Sequence, residues 1–295
     1  MKLRDQLAGT GVALITPFKE DLSVDYEALE KLVNYIIANG VEYLVSLGTT
    51  GETPTLQHDE KIKIINFTYE LVNDRVPVVV GIGGNNTQEV IQNLNTYPLQ
   101  KAVAVLSASP YYNKPSQEGI FQHYKAIAAA SPKPILLYNV PGRTGSNITA
   151  ETTLRLAREN NIMGIKEASG NIIQCMHILQ KRPQDFLVVS GDDHLTLPLI
   201  ACGMDGVISV AANCFPKDFS AMVRYCLTGD FNEAKELHYK CLEGNDLLFA
   251  ENNPAGVKAF LYEMGLIQNV VRLPLVVLSA AVHQKVKDYL KNSNV

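Results

Sequence analysis

The chain has 295 residues, 46% of them hydrophobic, with 26 basic against 30 acidic side chains and a formal net charge of −4. That is enough apolar material for a large core, and the length fits two ordinary domains or one barrel of roughly 250 residues with an extension. The mildly acidic balance, with no run of basic residues, leaves no electrostatic footprint for nucleic acid or for an anionic membrane surface.

The start, Met1-Lys2-Leu3-Arg4-Asp5-Gln6, carries no apolar targeting core. The first strand-like run is Val12–Thr16. Behind the cap candidate Asp25, the residues Leu29, Leu32, Val33, Ile36 and Ile37 share one helical face, and Gly40 closes the segment. Further apolar runs follow at Tyr43–Leu47, Val78–Gly81, Val103–Ser107, Ile135–Tyr138, Ile162–Lys166, Phe186–Ser190 and Gly206–Ser209. Helical patterns begin after them at about Gln57, Thr87, Ser116, Thr149, Asn171, His194 and Pro216, with Ser116 and Thr149 as N-cap candidates.

Strand runs that alternate with helical segments predict repeated βα units around a parallel sheet, and eight of each predict a closed (β/α)8 TIM barrel. A doubly wound open sheet is the competing architecture. It announces a nucleotide site with a glycine fingerprint after the first strand, where this chain has Thr16-Pro17-Phe18. Beyond Thr228, helical patterns at about Phe231–Phe249, Pro254–Met264 and Leu275–Lys291 contain no strand-like run. The expected organisation is therefore a catalytic barrel over 1–228 and a C-terminal three-helix appendage over 229–295.

The longest apolar stretch, Leu273 to Val282, is interrupted by Pro274 and is too short to span a bilayer. Five cysteines, Cys175, Cys202, Cys214, Cys226 and Cys241, form an odd set without a Cys-x-x-Cys, which suits a reducing cytoplasm. The six histidines show no metal-ligand spacing, so neither a metal nor a cofactor is expected.

A (β/α)8 barrel gathers its chemistry at the C-terminal ends of its strands. There the chain places Thr16 and Pro17, Gly48-Thr49-Thr50-Gly51-Glu52, Gly81-Ile82-Gly83-Gly84-Asn85, Pro110-Tyr111-Tyr112-Asn113, Tyr138 with Arg143, Lys166-Glu167, Gly191-Asp192-Asp193 and Ser209-Val210-Ala211-Ala212-Asn213. Lys166 is the informative member. A lysine ending an apolar strand is costly unless its amine does chemistry, because desolvation disfavours an ammonium ion, and a neutral amine attacks ketones to form a Schiff base. Tyr138, ending the preceding strand, suits proton transfer during imine formation, although capping a barrel layer is a commoner use of tyrosine.

Thr49 and Thr50 are good turn residues in their own right, while Gly51 would let backbone N–H groups approach a carboxylate. Arg143, in the loop five residues after Tyr138, has the guanidinium fork for a second carboxylate. Gly81-x-Gly83-Gly84 lacks the full dinucleotide spacing and reads as a tight βα turn. Asp192 and Asp193 read as turn or cap residues.

At Gly48-Thr49-Thr50-Gly51-Glu52, Tyr138-Asn139-Val140-Pro141-Gly142-Arg143-Thr144 and Gly164-Ile165-Lys166-Glu167-Ala168-Ser169-Gly170, the chain resembles the dihydrodipicolinate synthase family, within the superfamily of N-acetylneuraminate lyase and the class I pyruvate aldolases. The likeness runs nearly end to end. It takes in Pro110-Tyr111-Tyr112-Asn113-Lys114-Pro115, Ser190-Gly191-Asp192-Asp193 and Gly206-Val207-Ile208-Ser209-Val210.

The resemblance implies condensation of pyruvate with L-aspartate 4-semialdehyde, a lyase reaction on the route to diaminopimelate and lysine, in a homotetramer built as a dimer of dimers. It makes Lys166 the imine-forming residue, and Tyr138 the proton relay with Thr49 and with a Tyr112 donated by a neighbouring subunit. Thr50, Ile208 and Gly191 fall in the substrate-binding set, and Arg143 guides the semialdehyde's carboxylate. It also implies an allosteric lysine site at His58, Lys61, Asn85, Glu89 and Tyr111. In lysine-inhibited members a histidine commonly stands in place of Lys61, and a cation there repels the effector's ammonium, so weak or absent feedback inhibition is expected.

Asn253-Pro254-Ala255-Gly256-Val257-Lys258 departs from the family's usual Asn-Pro-Ile-Pro-Val-Lys and is expected to lie outside the catalytic set. The nearest rival reading is a sugar-acid aldolase of the same barrel, such as N-acetylneuraminate lyase or a 2-keto-3-deoxy sugar acid aldolase, which generally lacks an arginine at the place of Arg143. A non-catalytic barrel that binds a keto acid is the second.

Overall fold

A computed structural model describes residues 2–292; Met1 and residues 293–295, at the two ends of the expected organisation, lie outside the described residues. Eight parallel strands close a barrel in chain order: β1 (Gly9–Ala13), β2 (Tyr43–Ser46), β3 (Val78–Gly81), β4 (Ala104–Ala108), β5 (Ile135–Asn139), β6 (Ile162–Glu167), β7 (Leu187–Ser190) and β8 (Gly206–Ser209). The apolar runs thus become strands, and β8 pairs back onto β1 from Gly9↔Gly206 to Val12↔Ser209.

Alternate side chains of each strand face opposite ways, which explains why the runs are apolar at nearly every position. Ala13, Tyr43, Val45, Val79, Leu106, Leu136, Leu187, Val189 and Ile208 fill the barrel interior, while Val12, Leu44, Val80, Val105, Ile135, Leu137 and Val188 pack outward against the helices. Parallel strands buried on both faces lose the polar alternation of a half-exposed sheet.

The first strand begins at Gly9, three residues before the expected Val12, and ends before Thr16. Gly9, Thr10 and Gly11 hide the strand from an apolar count, yet Gly11 must be small: a Cβ there would lie 2.2 Å from the ring of Tyr43, which fills the bottom of the barrel. Thr16 is a buried loop residue whose hydroxyl donates to the Gly51 carbonyl at 2.7 Å.

The helices follow their caps. Asp25 accepts from the Ala28 N–H, Ser116 from Gly119 and Thr149 from Thr152, so helices run over Tyr26–Ala38, Gln117–Ala130 and Ala150–Leu156. The helix expected from His194 starts instead at Thr196, leaving His194 in the loop at the barrel mouth. Arg143 sits in a short helix, Pro141–Thr144, rather than a loop: Pro141 opens it and Gly145, at φ +73°, ends it.

The three C-terminal helices are Phe231–Phe249, Ala255–Glu263 and Ala280–Asn292. The last begins five residues after the expected Leu275. Ser279 caps it, donating its own N–H and hydroxyl to Glu251 at 2.7 and 2.6 Å, while Leu273, Val276 and Val277 remain exposed ahead of it. Leu248, Val257, Phe260, Leu261 and Val286 from these helices join the same apolar cluster as the barrel's outer layer.

Candidate active site

At the barrel mouth lies a cavity of about 660 Å³, lined by residues from β1, β2, β4, β5, β6 and β8, by loops including the one after β7, and by the C-terminal segment. Lys166 and Tyr138 are direct register partners across β5 and β6. Both side chains face inward, 5% and 7% exposed, and the lysine amine lies 4.4 Å from the centroid of the tyrosine ring. No carboxylate among the described residues pairs with Lys166.

Gly191 makes room for that amine's stem. A Cβ at Gly191 would lie 2.7 Å from Lys166 Cε, so any side chain there displaces the lysine. Next to Lys166 on β6, Glu167 points to the opposite face by strand alternation. Its buried carboxyl accepts from Asn139 Nδ2 at 3.0 and 3.2 Å, Gln174 Nε2 at 3.3 Å and the Ser169 N–H at 2.8 Å, and burial pushes it above the usual carboxylate range. This network ties the ends of β5 and β6 together behind the two inward residues.

Thr49, exposed, and Thr50, 3% exposed, lie in a 3-10 turn over Thr49–Gly51 and both line the cavity. Gly51 contributes no N–H of its own to the expected cradle. Its N–H donates to the Gly48 carbonyl at 3.0 Å, and its bare Cα faces Leu14 and Thr16, where a Cβ would meet Leu14 O at 3.1 Å. Gly51 is small where the turn packs against the stretch just after β1.

Asp193 is buried at the end of β7. One carboxylate oxygen accepts the N–H groups of Val210 and Ala211, each at 3.0 Å, which holds the chain just after Ile208, and desolvation raises its carboxyl above the ordinary value. Arg143 lines the rim and reaches Asn252 Oδ1 at 3.5 Å.

The C-terminal segment also reaches the cavity. Phe249, Asn252 and Asn253 line the cavity, and Asn253 Nδ2 donates to Thr50 Oγ1 at 3.0 Å, so this stretch belongs to the site wall. Five residues on, Lys258 forms a fully buried ion pair with Glu52, 2.5 Å apart, and Lys258 Nζ also donates to Val270 O at 2.9 Å. The Thr49–Glu52 turn is thereby gripped by residues about 200 positions away in sequence. His194 also joins the rim; its Nε2 lies 3.0 Å from Asp246 and its ring stands 5.9 Å from that of Phe249. Asn252 is left-handed, at φ +88°, just before the cis Asn253-Pro254 bond.

Tyr112 does not join these residues. It is 89% exposed at φ +70°, outside the cavity wall.

The Dihydrodipicolinate synthetase family model matches residues 6–293. The chain belongs to this family. A 4-hydroxy-tetrahydrodipicolinate synthase of Parabacteroides distasonis is 54% identical over 290 residues, 98% of each chain. Among solved structures, a chloride-inhibited dihydrodipicolinate synthase from Acinetobacter baumannii complexed with pyruvate is similar with a TM-score of 0.95 and 40% identity over 98% of this chain and 99% of that one. The enzyme of Cyanidioschyzon merolae with lysine bound superposes with a TM-score of 0.92 at 37% identity over 96% and 97%.

None of His58, Lys61, Asn85, Glu89 and Tyr111, expected from the resemblance to form an effector site, lines this cavity. Asn85 Nδ2 donates to Tyr111 O at 3.2 Å, Asn113 donates to Asn85 O at 3.0 Å, and the His58 ring lies 5.4 Å from that of Tyr97, tilted by 47°. Lys61 is half-buried; desolvation pulls its amine below the ordinary lysine value, against the opposing pull of Glu89.

Proposed function

We infer that the chain is a lyase that condenses pyruvate with L-aspartate 4-semialdehyde through a Schiff base, the 4-hydroxy-tetrahydrodipicolinate synthase reaction of lysine and diaminopimelate biosynthesis. The observation that carries this reading is Lys166, buried in the cavity without a carboxylate partner among the described residues and in register with Tyr138. Membership of the family supports it, as does the pyruvate named with the Acinetobacter structure.

In this reading the Lys166 amine adds to C2 of pyruvate and water leaves, giving an iminium that acts as the electron sink. Loss of a methyl proton forms an enamine, which attacks the aldehyde carbon. Attack of the substrate's own amine on C2 then closes the ring and returns lysine. Tyr138 moves protons with Thr49, and Thr50, Ile208 and Gly191 hold the keto acid. Arg143 captures the semialdehyde's carboxylate and separates this activity from that of the sugar-acid aldolases.

Tyr112, exposed in one chain, completes the relay of a neighbouring copy in a homotetramer. Sedimentation that found only monomers under assay conditions would remove that role. The reaction is placed in the cytoplasm, with the barrel over 1–228 carrying it and the appendage over 229–295 closing its mouth.

Borohydride reduction with pyruvate should add one reduced pyruvyl group at Lys166, and the condensation assay should give product where N-acetylneuraminate is not cleaved. A protein that gains no mass with pyruvate is not a Schiff-base enzyme of this kind. Although the Cyanidioschyzon structure holds lysine, Lys61 places a cation among the effector positions. Inhibition by lysine should be weak, and half-maximal inhibition at submillimolar lysine contradicts this.

A further inference from the structure

Asn253 is 4% exposed on the cavity wall, and its amide makes one side-chain contact, the Nδ2 donation to Thr50 Oγ1 at 3.0 Å. Its Oδ1 is buried with no hydrogen-bond partner among the described residues. The backbone around it is held: the Asn253 N–H donates to Asn252 Oδ1 at 2.9 Å, and the Lys258–Glu52 pair pins the same two segments together a few residues further on. Thr50 itself is buried, so its hydroxyl has little choice of partners.

A threonine hydroxyl has one proton and two lone pairs. An amide N–H that fills a lone pair leaves the proton for a different acceptor. We propose that Asn253 is a positioning residue for the keto acid: by donating to Thr50 Oγ1 it fixes the hydroxyl's polarity, so that Thr50 presents a proton, not a lone pair, to the substrate carboxylate. This deepens the functional reading and rests on it, since Thr50 is there the residue that meets that carboxylate.

The test inverts the polarity without changing the shape. In Asn253→Asp the side chain offers acceptors only, so the Thr50 proton turns toward it and a lone pair faces the substrate. Because the substrate carboxylate then has no hydroxyl proton to accept, the pyruvate KM of N253D should rise about tenfold or more. The turnover at saturating pyruvate should change by no more than about threefold, since an interaction equal in ground and transition states alters KM alone. N253A, which leaves the hydroxyl undirected, should raise the pyruvate KM less, and it decides the matter if N253D does not fold.

A negative charge at 253 could also repel the carboxylate without involving Thr50. The double variant N253D with Thr50→Val distinguishes the two: if Asn253 acts through Thr50, the double variant is no worse in pyruvate KM than the worse single variant. Multiplying penalties, or an unchanged KM in both Asn253 variants, overturn the proposal. Wild-type trapping of pyruvate by borohydride is run alongside. Its failure removes the functional reading, whereas intact trapping with an insensitive Asn253 removes this proposal alone.

Discussion

Lys166 and Lys258 are both buried, 5% and 0% exposed, and each amine rests over an aromatic ring, 4.4 Å from the Tyr138 centroid and 4.1 Å from that of Phe18. Burial and ring contact therefore do not tell a reactive lysine from a structural one. The difference lies in their partners. Lys258 has Glu52 at 2.5 Å and the Val270 carbonyl at 2.9 Å, so its protons are spent on fixed acceptors. Lys166 has no carboxylate partner among the described residues and opens onto the cavity. An unpaired amine beside a space is available to a substrate; a paired one between two segments of chain is a clamp.

Four experiments put this contrast at risk. Lys166→Met should abolish pyruvate trapping and lower condensation at least about a thousandfold, as removal of a nucleophile does elsewhere. Its melting temperature should stay level or rise, because an apolar chain of similar volume replaces a buried amine that lacks an ionic partner. Persistent trapping at another lysine would erase the distinction between the two.

Lys258→Met should show the reverse pattern. It leaves Glu52 buried without its cation, which costs about 3–5 kcal/mol of stability, measured by urea unfolding. The folded fraction should still trap pyruvate. Replacing both partners, Glu52→Gln with Lys258→Met, should recover most of the loss, and failure to recover would show that the pair is not the unit that matters.

Arg143→Ala tests whether the cavity has two ends. Pyruvate trapping should persist while condensation falls up to about a hundredfold, the scale expected when a charge-assisted hydrogen bond to a carboxylate is removed. Equal loss of both would move Arg143 to the keto acid.

The smallest effect is one of pH. Burial holds the Lys258 amine down at about 8, despite Glu52. From about pH 8 toward the ordinary lysine value, the unfolded chain binds more protons than the folded one, so this group makes stability rise with pH. Lys258→Met should flatten that rise in unfolding curves taken between pH 7 and 10, and an unchanged slope would assign it to other groups.

Much of the site is legible in the linear chain. Apolar runs ending in Tyr138 and Lys166 place those residues on adjacent strands of an eight-stranded barrel, and the structure makes them register partners. Local signals also suffice for the caps Asp25, Ser116 and Thr149. Where glycine carries the meaning, the sequence is ambiguous: Gly9 and Gly11 conceal the start of β1, and the bare Cα of Gly51 faces Thr16 and Leu14. A missing side chain says that something comes close without saying what.

Strand periodicity and the order of βα units are local properties, so the barrel and the adjacency of Tyr138 and Lys166 are already present in the order of residues. The remainder of the site depends on packing between distant segments. Asn253 against Thr50, Lys258 against Glu52 and His194 against Asp246 join the C-terminal segment to barrel loops far away in sequence. No spacing rule records such meetings, since they follow from how the appendage packs over the mouth. Hydrogen-bond polarity and charge pairing are settled only when both partners are in place.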